Sequence, residues 1–137
     1  MYKRQVWALS RPDAVLPLAG AVSLAGVLDL LLGEREGIGR GAVTDLLGGG
    51  SAAHPDRYAA ADPATRIVAG LPVRIVHGDR DDVVPMNQSD AYAAAAREAG
   101  QDVRVAVVDG DHMDMIDPAH PAFQALLVAL GEILASA

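Results

Sequence analysis

The sequence predicts an α/β fold with about three parallel strands and helices packed on the sheet. Three observations lead there. The second half alternates strand, helix, strand, helix, which implies right-handed crossovers between parallel strands. The strands are near-continuous apolar runs, as expected of strands covered on both faces. The 137 residues are 51% hydrophobic and 21% charged, enough to bury one core and no more than one domain's worth.

Taken in order, residues 6–10 read as the tail of a helix stopped before Pro12. Residues 20–25 (GAVSLA) form a short apolar run ending at Gly26, the first strand. A region rich in Gly, Ala and Asp follows between Asp29 and Gly70. Short helices are expected there at residues 41–47, around Tyr58 and at 63–68, with Glu34, Arg35 and Glu36 as a solvated turn. Residues 73–76 (VRIV) are the second strand, closed by His77 and Gly78. An alanine-rich helix is expected at 86–99, ended by Gly100 as a helix-stop residue. Residues 103–108 (VRVAVV) are the third strand, and 120–134 read as a long helix with an apolar face. Trp7 and Phe123 are expected in the core. His54 and His120, each followed by proline, are expected at helix entries. Three strands leave at least one apolar edge, so self-association is expected.

Composition narrows the partners. The net charge is -7 and no basic cluster occurs, which excludes nucleic acid and anionic membrane as natural partners. No run reaches the ~18–20 uninterrupted apolar residues of a membrane span, so a cytoplasmic protein is expected. There is no cysteine, hence neither a disulfide framework nor a thiolate metal site. Gly37-Ile38-Gly39-Arg40-Gly41 has no strand before it and makes a poor dinucleotide loop. The acidic groups Asp79, Asp81, Asp82 and Asp109, Asp111, Asp114 offer hard oxygen ligands, but nothing fixes their geometry. No cofactor and no metal are expected. Residues 1–5 are expected to be a non-native extension, because Tyr2 to Gln5 read as a translated sequencing adapter.

In open parallel sheets, ligands bind beyond the carboxyl ends of the strands. The loop after the second strand is His77-Gly78-Asp79-Arg80-Asp81-Asp82-Val83-Val84-Pro85. The loop after the third is Asp109-Gly110-Asp111-His112-Met113-Asp114. Neighbouring strands lie ~4.8 Å apart, so a carboxylate on one loop can reach the histidine on the next. A carboxylate that holds a ring N–H fixes the histidine's tautomer and stabilises its imidazolium form. Other readings stand beside this one. Asp79-Arg80-Asp81 behind a strand also suits a phosphatase-like site, although the lysine such chemistry wants is absent after Lys3. A non-enzymatic binding module is the third reading. His77 is expected to be structural, hydrogen-bonding at the strand end.

The stretch H-G-x-x-D-x-x-V-P at residues 77–85 and the stretch G-x-H-x-x-x-x-D-P at 110–118 resemble the acid and histidine loops of the α/β-hydrolase family. Residues 22–30 resemble the strand that follows that family's nucleophile helix. Leu46-Leu47-Gly48-Gly49 and the Tyr58-Ala59-Ala60-x-x-Pro63 element are similar to small esterases of the kynurenine-formamidase-like or dienelactone-hydrolase-like branch. The resemblance covers roughly residue 6 to the end. It implies Asp81 as catalytic acid, with Asp79 and Asp82 as its nearest competitors, and His112 as general base. It implies a small carboxylic ester or amide as substrate. The family's G-x-S-x-G nucleophile elbow and its oxyanion donors should precede residue 6. Residues 6–137 are therefore expected to be the C-terminal portion of one domain, with a cap-like insertion around 31–70, inactive alone. Ser51, in Gly49-Gly50-Ser51-Ala52-Ala53, mimics the elbow, but no strand precedes it. Met113 and Met115 flank the histidine and suit either an acyl pocket or helix packing.

Overall fold

Three short stretches of the chain form the sheet, and β-branched residues crowd the second and third of them. The computed structural model describes residues 18–136. Ala21–Leu24 (β1), Val73–Gly78 (β2) and Val103–Val108 (β3) make one parallel sheet in the order β1-β2-β3. The register aligns Ala21 with Val73 and Val73 with Val103, then runs on to Gly78 beside Val108. All three strands therefore end on the same side of the molecule. The expectations for residues 1–5, residues 6–10 and Trp7 lie outside the described residues.

Between β1 and β2 the chain forms Leu30–Glu36 (α1), Ile38–Leu47 (α2) and Pro55–Ala61 (α3). Then come Asn87–Glu98 (α4) after β2 and Phe123–Ala135 (α5) after β3. On one face of the sheet, Val73, Ile75 and Val103 pack with Tyr92, Ala93 and Ala96 of α4. On the other, Val76 packs with Met115, Ala122 and Ala129 on and before α5. A third cluster joins Leu30, Val43, Leu47, Tyr58 and Val84, so the acid loop is anchored in the helical layer.

Burial on both faces holds for β2, whose residues are all buried. It fails for β3, where Arg104, Ala106 and Val107 are exposed. The reason is placement: α5 lies over β1 and β2. At the amino end of the sheet, the buried Arg74 binds Asp102 at 2.8 Å and Glu132 of α5 at 2.6 Å, which ties that helix down far from the carboxyl-end loops. The apolar residues of α5 are not confined to one face, since Leu127, Val128, Leu130 and Leu134 are exposed. Phe123, expected in the core, is half-buried at the start of that helix.

Two local expectations are corrected. Residues 34–36 belong to a helix rather than a solvated turn. Asp29 caps α1 through a carboxylate that accepts the Leu32 N–H at 2.8 Å, and Gly37, at φ 64°, closes it in the left-handed conformation. Residues 63–68 are not a helix; only Pro63–Thr65 turns, as a 3-10 element. The buried Asp62 carboxylate explains this, because its Oδ1 accepts the N–H groups of both Ala64 and Leu30 and so ties the segment to α1. The regular part of α2 begins after Gly41, since Gly39, Arg40 and Gly41 have left-handed backbone angles.

The Asp29 cap yields the first prediction. Asp29→Ala should cost about 1 kcal/mol of stability, the usual loss for an N-cap. Urea denaturation followed by circular dichroism should show a lower midpoint with an unchanged slope.

Candidate active site

The parallel register sets Gly78 beside Val108, and the two following loops interlock there. The N–H of Asp79 donates to the Val108 carbonyl at 2.8 Å, and that of Arg80 to the Gly110 carbonyl at 3.0 Å. The Gly110 N–H returns a bond to Asp79 Oδ1 at 3.1 Å. Arg80 pairs with Asp109 across the two loops. Gly78 permits this approach: a Cβ there would meet the backbone carbonyls of Gly110 and, at 2.8 Å, Asp111. Those atoms are backbone and cannot swing aside.

The interlock carries Asp81 to His112. His112 Nδ1 lies 2.8 Å from Asp81 Oδ2. Asp81 Oδ1 accepts the N–H groups of Val83 at 2.9 Å and Val84 at 2.8 Å. The Asp81 side chain is 1% exposed and that of His112 is 23% exposed, so the carboxylate is buried behind a ring that reaches solvent. Burial pushes the Asp81 carboxyl up. The Val84 amide, the His112 ring and the Val83 amide more than offset this and leave it below the usual carboxylate range. His112 is held by its own loop. Asp111 Oδ1 accepts from Met113 N at 2.8 Å and Asp114 N at 3.2 Å, while Asp114 Oδ2 accepts from Asp111 N at 2.7 Å. Met115, fully buried, anchors the loop in the core.

This geometry fixes the chemistry of the ring. An ionised carboxylate only accepts, so Nδ1 carries the proton and Nε2 carries the lone pair. Among the described residues, Nε2 has no hydrogen-bond partner. A histidine so held can take a proton at Nε2, and the carboxylate stabilises the cation that results.

Of the three candidate carboxylates, Asp81 is the one on the histidine. Asp79 is engaged with Gly110 and Arg80, and Asp82 is exposed. Ser51 sits in a turn of the helical layer and gives its backbone N–H to both oxygens of Glu34. Met115 packs in the core, whereas Met113 is exposed. His54 and His120 stand before α3 and α5, and His120 Nδ1 accepts the Ala122 N–H at 3.2 Å. Among the described residues, no group of three or more His, Cys, Asp or Glu could hold a metal ion. Two features escaped the sequence reading. One is the reciprocal Asp111–Asp114 lock, whose three-residue spacing echoes a capping box and could have been noticed. The other is the set of partners of the buried His77, which no local pattern announces.

The family profile described as BD-FAE matches residues 10–95, which includes Asp81 and stops short of His112. Two curated relatives, each called "Uncharacterized protein YfhR", from Salmonella typhi and Salmonella typhimurium, are 42% identical over 59 residues. The match takes in 43% of this chain and 19% of each relative, so the chain spans about a fifth of their length. Among solved structures, an acylaminoacyl peptidase in complex with Z-Gly-Gly-Phe-chloromethyl ketone superposes with a TM-score of 0.65 at 20% identity, over 93% of this chain and 21% of its own. A puromycin hydrolase superposes with a TM-score of 0.56 at 28% identity, over 78% of this chain and 16% of its own. These neighbours have the α/β-hydrolase fold.

Two predictions follow from the interlocked loops. Gly78→Ala should destabilise the protein by about 2 kcal/mol through backbone overcrowding, read as a lowered denaturation midpoint. Asp81 titrates lower when folded than when unfolded, so its ionised form contributes stability above the unfolded carboxylate value of about 3.9. That contribution should disappear as pH falls through the lower folded value. The stability gap between wild type and Asp81→Asn should therefore narrow as pH falls below about 4. A gap independent of pH down to acid unfolding would remove the argument for an ionised, hydrogen-bonded Asp81.

Proposed function

The chain belongs to the BD-FAE family, an esterase-like family of the α/β-hydrolase fold, and from that premise we propose that it supplies the acid and the histidine of a Ser–Asp–His triad. The observation that carries the reading is the 2.8 Å bond from His112 Nδ1 to the buried Asp81 carboxylate, on the two loops beyond β2 and β3. In this reading a serine attacks the carbonyl carbon of a carboxylic ester or amide. His112 takes the serine proton at Nε2 and returns it to the leaving alcohol or amine. Asp81 holds the ring in the competent tautomer and stabilises the imidazolium, without itself taking up a proton. Water then attacks the acyl group by the same proton route in reverse.

The attacking serine is proposed to come from outside the described residues. Two facts support this: none of the described serines is hydrogen-bonded to His112, and the chain spans about a fifth of the relatives it matches. Ester and amide chemistry both remain within the proposal. The family is esterase-like, while the two structural neighbours are named as a peptidase and as a hydrolase of puromycin. A phosphatase-like role for Asp79 gains no support, because Asp79 Oδ1 accepts the Gly110 N–H and the neighbouring Arg80 is paired with Asp109.

The test is complementation. The chain alone should not turn over p-nitrophenyl acetate or an acyl-aminoacyl p-nitroanilide. Joined behind a BD-FAE segment that carries G-x-S-x-G, it should do so. In that joined protein Asp81→Asn should lower kcat by about 10⁴-fold, the loss typical of a wrongly held triad histidine. His112→Ala should be at least as damaging. Full activity in His112→Ala would remove the proposal, and turnover by the unjoined wild-type chain would remove its claim about the serine.

A further inference from the structure

Behind the acid lies a second histidine that the proposed reaction does not use. His77, the fifth residue of β2, is 0% exposed. Its Nε2 lies 2.9 Å from the Val84 carbonyl oxygen and 3.5 Å from Asp81 Oδ2, and its Nδ1 lies 2.6 Å from Ser89 Oγ on α4. A carbonyl oxygen only accepts, so Nε2 carries the proton. In the neutral ring Nδ1 then accepts the proton of the Ser89 hydroxyl. Ser89 is also 0% exposed.

We propose that His77 and Ser89 form a buried clamp that positions Asp81 for its bond to His112. The inference rests on the reading of Asp81 and His112 as triad members. Val84 is where the clamp acts. Its N–H holds Asp81 Oδ1 at 2.8 Å, and its carbonyl is held in turn by His77 Nε2. The peptide groups on both sides of Val84 are thereby fixed, and with them the direction of the carboxylate. Oδ2 is left with one short donor, His112, and one longer contact, His77. Ser89 extends the clamp from β2 to α4, so strand, acid loop and helix are joined by one line of hydrogen bonds. His77 acts through Asp81 and is a positioning residue.

Ser89 and His77 meet as a serine and histidine of a triad do, but the other ring nitrogen gives its proton to the Val84 carbonyl and lies 3.5 Å from Asp81. Their burial decides against a nucleophilic role for Ser89, because no carbonyl substrate reaches a hydroxyl with no exposed surface.

The test reads the ring nitrogens and the Nδ1 proton of His112 by ¹⁵N–¹H NMR on the full 137-residue chain. In the wild type, His112 should show the Nδ1–H tautomer with a slowly exchanging proton, and His77 the Nε2–H tautomer. His77→Leu removes the donor to Val84, and Ser89→Ala removes the hydroxyl from Nδ1. Each should speed exchange of the His112 proton about fivefold, the scale of one lost neutral hydrogen bond. His77→Gln, which returns an amide donor near the position of Nε2, should restore slow exchange. If His77→Leu fails to fold by circular dichroism, Ser89→Ala decides, since it removes a single atom from a helix that tolerates alanine. Unchanged exchange in the folded His77 and Ser89 variants, beside a lost signal in Asp81→Asn, would overturn the clamp alone. A signal that survives Asp81→Asn would overturn the acid–histidine reading on which it rests. Labelling of Ser89 by a fluorophosphonate probe would also overturn the clamp, because it would show the hydroxyl to be reachable.

Discussion

The approach of two loops at Gly78 is the constraint on which the rest of the site depends. Parallel strands in register deliver their loops to the same end of the sheet, but they do not by themselves make those loops touch. Contact follows because Gly78 carries no side chain where the carbonyls of Gly110 and Asp111 cross it. The two loops then exchange backbone bonds through Asp79, Arg80, Val108 and Gly110. Asp81 and His112 lie one step beyond this junction, so small freedom at the junction becomes small freedom in the pair.

A buried carboxylate is costly unless its lone pairs are taken. Asp81 meets that condition with two backbone amides and one imidazole N–H. Asp62 faces the same requirement and meets it differently. It too is buried and accepts two backbone N–H groups, but it has no cationic or imidazole partner, and burial raises its carboxyl above the usual range. The same residue type is thus held ionised beside a histidine at one position and used as a joint between segments at the other. Burial pushes both carboxyls up; at Asp62 it prevails, with the Asp29 carboxylate adding to it, whereas at Asp81 the two amides and the His112 ring outweigh it.

Much of the site was legible in the sequence because its signals are local. An apolar run, then glycine, then a carboxylate cluster is readable residue by residue, and so is a second run followed by a histidine. Parallel topology followed from the alternation of elements. The choice of Asp81 over Asp79 and Asp82 came from a family pattern, and the structure sets that residue, and not its neighbours, on His112. Of what was missed, the Asp29 cap and the Asp111–Asp114 lock are local, and the rest depends on contacts distant in sequence. The short α1 is decided by a cap at Asp29 and by Gly33, whose missing Cβ leaves room for Val27 and Val43. The turn at Pro63–Thr65 is decided by Asp62 reaching back to Leu30. Helices of this length gain little from propensity, so tertiary partners choose their bounds. The uneven burial of β3 could not be read either, since it reflects where α5 comes to rest.

Every hydrogen-bond partner named for Asp81 and His112, and every partner of the His77 ring, lies between His77 and Asp114. The segment before β2 contributes packing around Val84 but none of those bonds. The orientation of Asp81 and His112 is therefore a property of β2, α4, β3 and the loops that follow the two strands. Catalysis of this kind gains when the proton-handling groups are already oriented before a substrate arrives. In the proposed hydrolase, a local unit that orients this pair leaves the other parts of the fold free to vary in the alcohol, amine or acyl groups they admit, while the proton route stays the same.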